Sequence, residues 1–222
     1  MNLKMELALV FISLIPMLLT LYYVKQLPSS VPIHWNLEGD VDGYGSPWIT
    51  PVLSASLYGV LLLMMFIDPK RANYENFLHL IYKIRLLLAL FFTAISIFII
   101  YIGMGYDLSM ERFLLTAVPL LFAFLGNLII SIKPNWFIGV RTPWTLSSEN
   151  VWRKTHRLAG TLWFWGGILL TLSCAVLDSG TGMIILWIGI GVISLYPILY
   201  SYSEYRKELR VINKNGFPEE NA

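Results

Sequence analysis

A chain of 222 residues is the length of one soluble domain, yet 56% hydrophobic and only 14% charged residues exclude one. Ordinary globular domains carry about 25% charged residues. The net charge of +2 says little and the single Cys174 excludes an intrachain disulfide, so the information lies in where the charges fall.

Six uncharged stretches separate the charged segments: Leu7–Val24, Gly43–Ile67, Leu86–Tyr106, Phe113–Ile132, Leu158–Leu177 and Ser179–Ser203. Roughly 20 apolar residues rising about 1.5 Å each cross a hydrocarbon core of about 30 Å. The first stretch is too long for a signal-peptide core and lacks a small-residue cleavage site. It ends in Leu21-Tyr22-Tyr23, which suits an interfacial aromatic belt, and Pro16 predicts a kink that neighbouring helices accommodate. The expected fold is therefore an all-α integral membrane protein of six transmembrane helices. Lys4, four cations between Lys70 and Arg85, five between Lys133 and Arg157, and four from Arg206 to Lys214 fall on one side. Only Lys25 and Arg112 fall on the other, which places both termini in the cytoplasm by the positive-inside rule.

Between the first two spans, residues 25–47 form an extracytoplasmic loop. Val31-Pro32-Ile33-His34-Trp35 alternates as a strand does, and Leu37-Glu38-Gly39-Asp40 and Asp42-Gly43-Tyr44-Gly45 carry turn chemistry. The loop is expected to be an ordered extended-turn-extended element packed on the helix ends by Trp35, Tyr44 and Trp48. His34, Trp35, Asn36, Asp40 and Asp42 are candidate ligand-binding residues, since one histidine with nearby carboxylates can engage a polar ligand or divalent ion. The alternative is that Asn36 and the aspartates close turns while His34 bonds the backbone. The spacing matches no defined metal motif, so no metal is assigned.

The inner segment Asp68–Lys83 has apolar positions at Phe77, Leu78, Ile81 and Ile84, which predict a helical extension of the third span with Lys83 and Arg85 at the headgroups. Short links around Asp107 to Arg112 and Asp178 to Thr181 force antiparallel neighbours. Cys174, in the fifth span, is a small packing residue. Pro134 should stop the fourth span, and Thr145 or Ser147 should cap a helix that begins near Glu149 and enters the membrane. On it Trp152 and His156 share a face, as do Arg153 and Arg157. Tryptophans and cations in residues 133–157 fit an interfacial anchor. The rigid turn Gly139-Val140-Arg141-Thr142-Pro143-Trp144 also has the composition of a protein-contact surface, so a cytoplasmic docking face or a plug against the bundle is the sharper reading. The tail starts helical and then frays.

Asn135-Trp136-Phe137-Ile138-Gly139-Val140-Arg141-Thr142-Pro143-Trp144-Thr145-Leu146, followed by Glu149 and Val151-Trp152, resembles the defining stretch of the SdpI family of bacterial membrane proteins. Pro32-Ile33-His34-Trp35-Asn36 with Gly39 and Asp42 resembles an uncharacterised N-terminal module often fused to it. The resemblance implies residues 1–106 as that N-terminal membrane module, 107–205 as an SdpI-like membrane module with cytoplasmic loop 133–157, and 206–222 as a cytoplasmic tail. It implies a multi-pass protein of the bacterial cell membrane that gives immunity to a secreted toxin peptide and holds a cytoplasmic repressor protein, without touching nucleic acid directly. Asn135, Gly139, Arg141, Thr142, Pro143, Trp144, Glu149, Trp152 and His156 become the partner-facing or motif residues.

No span interior carries an ionisable residue, and none of the metallohydrolase, nucleophile-elbow or phosphate-loop motifs is present. No enzyme activity and no cofactor are therefore expected, and the lipid bilayer is the first partner. The alternative is a small-molecule or peptide transporter or channel. Glycines such as Gly126 and Gly167 fit either close packing or broken helices, and Asn127 is the polar pore candidate.

Overall fold

The computed structural model describes residues 2–36 and 40–214. The predicted turn at residues 37–39 and the end of the tail lie outside the described residues. In chain order the elements are α1 (Leu3–Tyr23), β1 (Val31–Trp35), β2 (Val41–Gly45), α2 (Ile49–Ile67), a 3-10 turn (Arg71–Asn76), α3 (Leu78–Gly103), α4 (Met110–Ile129), α5 (Pro143–Ser147), α6 (Glu149–Val176) and α7 (Ser179–Lys214). Among the described residues the six helices α1 to α4, α6 and α7 are long and apolar enough to cross a membrane, which gives the six expected spans. Helices α1, α2 and α3 pack together, α4, α6 and α7 pack together, and α3 meets α4 between the two groups.

Beyond the first turn of each helix the spans contain three prolines, Pro16, Pro119 and Pro197, and two of the resulting backbone gaps are filled from a neighbouring helix. A proline has no N–H for the carbonyl four residues before it. Pro16 thereby frees the Ile12 carbonyl, which accepts from the Thr93 hydroxyl of α3 at 3.1 Å. Pro197 frees the Ile193 carbonyl, which accepts from the Trp163 indole of α6 at 3.0 Å. In a membrane such cross-helix donors replace the water that would otherwise solvate the carbonyl.

Small residues let α4 and α6 approach closely. A Cβ on Gly126 would lie 2.5 Å from the Phe164 backbone nitrogen, and one on Gly167 would lie 2.5 Å from the Pro119 carbonyl. Gly126 and Gly167 thus serve close packing, the small-residue interface of membrane helices.

The ordered element between the first two spans is an antiparallel hairpin of β1 and β2. Its packing differs from expectation. Val31 is buried against Ile99 and Met110, with Leu27, Ile33 and Trp35 around it, whereas Tyr44 and Trp48 are exposed. Gly103 makes the seat, since a Cβ there would lie 2.5 Å from Val31 Cγ1. One strand face carries the contact because alternation points the other face away.

Arg85, expected among the headgroups, turns its side chain into the bundle. It is buried between the helices, and its two terminal nitrogens donate to Glu6 Oε1 and Oε2 of α1 at 2.7 and 2.9 Å. Tyr58 donates to the same carboxylate at 3.0 Å. An isolated charge at this depth is costly, and a bidentate partner makes it tolerable.

Candidate functional site

The segment between α4 and α6 wraps one end of the bundle through a network of buried polar groups. Asn135 is fully buried. Its amide nitrogen donates to the Lys133 and Ile138 carbonyls, both at 3.0 Å, and its oxygen accepts from the Phe137 and Ile138 N–H groups at 2.9 and 2.6 Å. One side chain thus ties Lys133, Phe137 and Ile138 together. Gly139 follows in the left-handed region at φ +115°, where only glycine is unstrained. A Cβ on it would lie 2.2 Å from His156 Nε2.

His156 reaches this turn from α6. Its Nδ1 lies 2.8 Å from the Trp152 carbonyl, and its Nε2 accepts from the Val140 N–H at 3.0 Å. An N–H directed at Nε2 requires a lone pair there, so the ring is the neutral Nδ1-protonated tautomer. The imidazole stacks on Trp152 with centroids 4.0 Å apart, and the Trp152 indole donates to the Ile132 carbonyl at 2.8 Å. The i, i+4 pair of the sequence therefore faces inward and clamps both ends of the loop.

The second half of the loop is held by caps. Thr142 and Thr145 form a reciprocal capping box around α5 with Pro143 at its first position. Ser148 caps α6 by accepting from the Val151 N–H at 3.2 Å. Thr145 and Ser147, the predicted caps, lie inside α5 instead. Pro143 is pre-set for a first helical position, so a separate helix starts there. The Trp144 indole donates to Ser201 of α7 at 2.5 Å, and Glu208 of α7 accepts from Ser148 and Asn150 at 2.8 and 3.0 Å.

Asp68, at the end of α2, ties the first half of the chain to this loop. It is buried and accepts from the Tyr74 hydroxyl at 2.5 Å, the Trp136 N–H at 2.9 Å and the Lys70 N–H at 2.7 Å. Burial and the adjacent carboxylate push the Tyr74 hydroxyl well above its ordinary pKa, so it remains a donor. Lys70 Nζ donates to the Leu146 carbonyl and Asn73 to the Pro134 carbonyl, at 2.9 and 2.7 Å.

Asn135, Thr142, Trp152 and His156 are thus interior scaffold, and Gly139 is the close-approach point. Trp144 is half-buried against α7, where it meets Tyr202 edge-on. Arg141, Pro143, Glu149 and Trp136 are exposed, with the Arg141 guanidinium donating to the Trp136 carbonyl at 2.5 Å.

At the opposite end, the hairpin brings His34 Nδ1 and the Asp42 carboxylate into direct contact on its exposed face. Asn36 pairs with Asp40: its side-chain oxygen accepts from the Asp40 N–H at 2.8 Å, and its own N–H donates to the Asp40 carbonyl at 2.9 Å. Trp35 is half-buried beneath, and Asp40 is exposed. Among the described residues no group of three or more His, Cys, Asp or Glu side chains is placed to hold a metal ion. Glu6, Arg85, Asp68 and Tyr74 have no counterpart among the predicted site residues.

Comparison with known proteins places two segments. Residues 131–201 match the SdpI/YfhL protein family, and residues 11–57 match a domain of unknown function, DUF1648. The Immunity protein SdpI of Bacillus subtilis (strain 168) is 26% identical over 210 residues, covering 92% of this chain and 97% of that protein. No solved structure matches the chain. The SdpI/YfhL segment contains the whole buried loop, α6 and much of α7, and the DUF1648 segment contains most of α1, the hairpin and the start of α2. The chain therefore joins an SdpI/YfhL family segment to a DUF1648 segment in one multi-pass protein of the bacterial cell membrane.

Proposed function

We propose that this protein is a membrane immunity protein that protects its own cell from a secreted antimicrobial peptide. In this reading the hairpin end faces outward and meets the peptide, and the loop end faces the cytoplasm and holds a transcriptional repressor. The observation that carries it is similarity, along nearly the full length of both chains, to a protein named for immunity. The strong cation bias toward the loop end supports the orientation. The exposed His34–Asp42 pair gives the outer face a polar feature. Arg141 and Trp136, exposed on a rigid loop, give the inner face residue types that dominate protein contacts. No catalytic step belongs to this reading.

The test is survival of a peptide-sensitive bacterium expressing the chain, challenged with a panel of secreted membrane-active peptides. Protection against at least one is expected, and unchanged killing across the panel would reject immunity. Arg141→Ala should lower repressor recruitment to the membrane while the protein still inserts; equal recruitment would leave the loop as an anchor.

A transporter or channel is the second reading, favoured by the Glu6–Arg85 pair buried within the spans. Asn127, the predicted pore residue, is instead exposed on the outside of α4. Solute flux in proteoliposomes that vanishes in a Glu6→Gln variant retaining its fold would support this reading over immunity by binding.

A further inference from the structure

The two helix groups meet where α3 lies against α4, and the outside of that seam carries a groove near the loop end of the molecule. Leu86 and Leu90 of α3 and Phe124 and Leu128 of α4 line it, together with Lys83 and Asn127. Lys83, Leu90, Phe124 and Asn127 are all exposed, so the groove opens sideways to the bilayer and both polar side chains can be reached from it. Among the described residues, no carboxylate pairs with the Lys83 ammonium and no hydrogen bond engages the Asn127 carboxamide.

The order of chemistry along the groove identifies its occupant. Helices α3 and α4 run antiparallel, so Leu90 and Phe124 lie deepest, Leu86, Asn127 and Leu128 nearer the membrane surface, and Lys83 outermost. Leu86 stands about 15 Å along α3 from the middle of the uncharged run Leu86–Tyr106, and Lys83 about 20 Å. The hydrocarbon core ends about 15 Å from its centre and the headgroup region at about 20–22 Å. Lys83 is therefore level with lipid phosphates, and Asn127 sits near the level of the glycerol esters. A glycerophospholipid presents the same sequence: an apolar chain, a carbonyl that accepts from an amide N–H, and a phosphate that takes an ammonium.

Charge selects the headgroup. Lys83 has no internal counter-charge, so a net-negative headgroup completes the site, whereas a zwitterionic one brings an ammonium of its own toward Lys83. A second copy of this chain fits poorly for the same reason. Related by a two-fold axis along the membrane normal, it sets its own Lys83 at the depth of the first, like charge beside like.

We infer that this groove binds an anionic diacyl phospholipid of the loop-side leaflet, with its phosphate on Lys83 and an ester carbonyl accepting from the Asn127 amide. The start of one acyl chain lies between Leu90 and Phe124, and the rest continues into the bilayer. The lipid thereby bridges the seam, touching α3 of one helix group and α4 of the other. This site is independent of the immunity reading.

The test uses the full chain in nanodiscs of phosphatidylglycerol and phosphatidylethanolamine in equal amounts, doped in turn with either lipid bearing a diazirine near the ester end of one chain. After irradiation, adducts are mapped by mass spectrometry. Phosphatidylglycerol adducts on Leu86, Leu90, Phe124 or Leu128 should exceed those on Leu7 of α1 and Leu63 of α2, exposed at the same end, by at least about fivefold. Phosphatidylethanolamine should label the groove about fivefold less, the effect of one basic side chain. Lys83→Gln should erase that headgroup preference, and Asn127→Leu should lower groove labelling by both probes about fivefold, the effect of one hydrogen bond. Arg157→Gln removes an exposed cation elsewhere at the same end and should change neither.

Equal labelling of the groove and of Leu7 and Leu63 overturns the inference, as does equal groove labelling by the two headgroups. So does a headgroup preference that survives Lys83→Gln or falls as far in Arg157→Gln. A groove shielded from both probes, in a protein that native mass spectrometry weighs as a dimer, makes a second copy the occupant and overturns it too. The headgroup comparison uses the native chain and therefore stands even if a variant fails to fold.

Discussion

The two ends of the bundle are built on opposite plans. At the loop end, polar side chains are turned inward: Asn135, Asp68 and His156 each bond backbone groups of the loop, and the fold depends on them. At the hairpin end, apolar side chains of β1 hold the element to α3, and the polar pair His34–Asp42 remains on the surface. A residue that satisfies buried backbone is constrained by folding, whereas a residue on an exposed strand face is available for recognition. The conspicuous motif of the loop end is therefore mainly architecture, and the modest hairpin carries the freer chemistry.

Substitutions can break that contrast. Gly139→Ala should have the largest effect, since it combines a left-handed backbone with a Cβ driven into His156. A loss of about 3 kcal/mol or more is expected, read as poor recovery of folded protein in detergent and a large fall in Tm. Asp68→Ala should follow, at about 2–4 kcal/mol, because it strands the Tyr74 hydroxyl and the Trp136 and Lys70 N–H groups. Thermal unfolding of the purified variant checks it, and Asp68→Asn should recover part of the loss. Asp42→Ala should cost less than about 1 kcal/mol, as exposed ion pairs do. If it destabilises as strongly as Asp68→Ala, the two ends do not differ as described.

The smallest effect concerns Asp178, exposed at the start of α7. The Thr181 N–H, donating to its carboxylate at 3.0 Å, holds the Asp178 pKa below its ordinary value. A folded pKa below the unfolded one contributes stability that is complete above the unfolded value and fades as pH falls through the folded one. Unfolding scans between pH 6 and acid should therefore converge for native protein and Asp178→Ala at the acid end.

Much of this was legible in the sequence. Spans follow from uncharged length alone, and the hairpin from alternation bounded by turn residues. The buried Glu6–Arg85 pair was not, because each residue sits one position outside an uncharged stretch and looks like a boundary charge. Their pairing depends on α1 packing against α3, which spacing does not encode. A signal was present in retrospect: opposite charges at matching depth on two spans that enter from the same side. The loop posed the converse problem. Trp, Arg, Asn and His at a Pro-Gly turn have the composition of a contact surface, and the same groups are what a buried loop needs to satisfy its own backbone. Only the direction of the side chains separates the two. Trp152 and His156 share a helical face as their spacing requires, and that face points inward.

The contrast between the two ends is tested most directly by challenging peptide-sensitive cells that express the native chain or a His34→Ala/Asp42→Ala double variant at matched membrane abundance. Native protein should protect, and the double variant should lose protection at least about tenfold while its Tm stays near native, as for an exposed pair. Full protection by the double variant would contradict the assignment of recognition to the hairpin face.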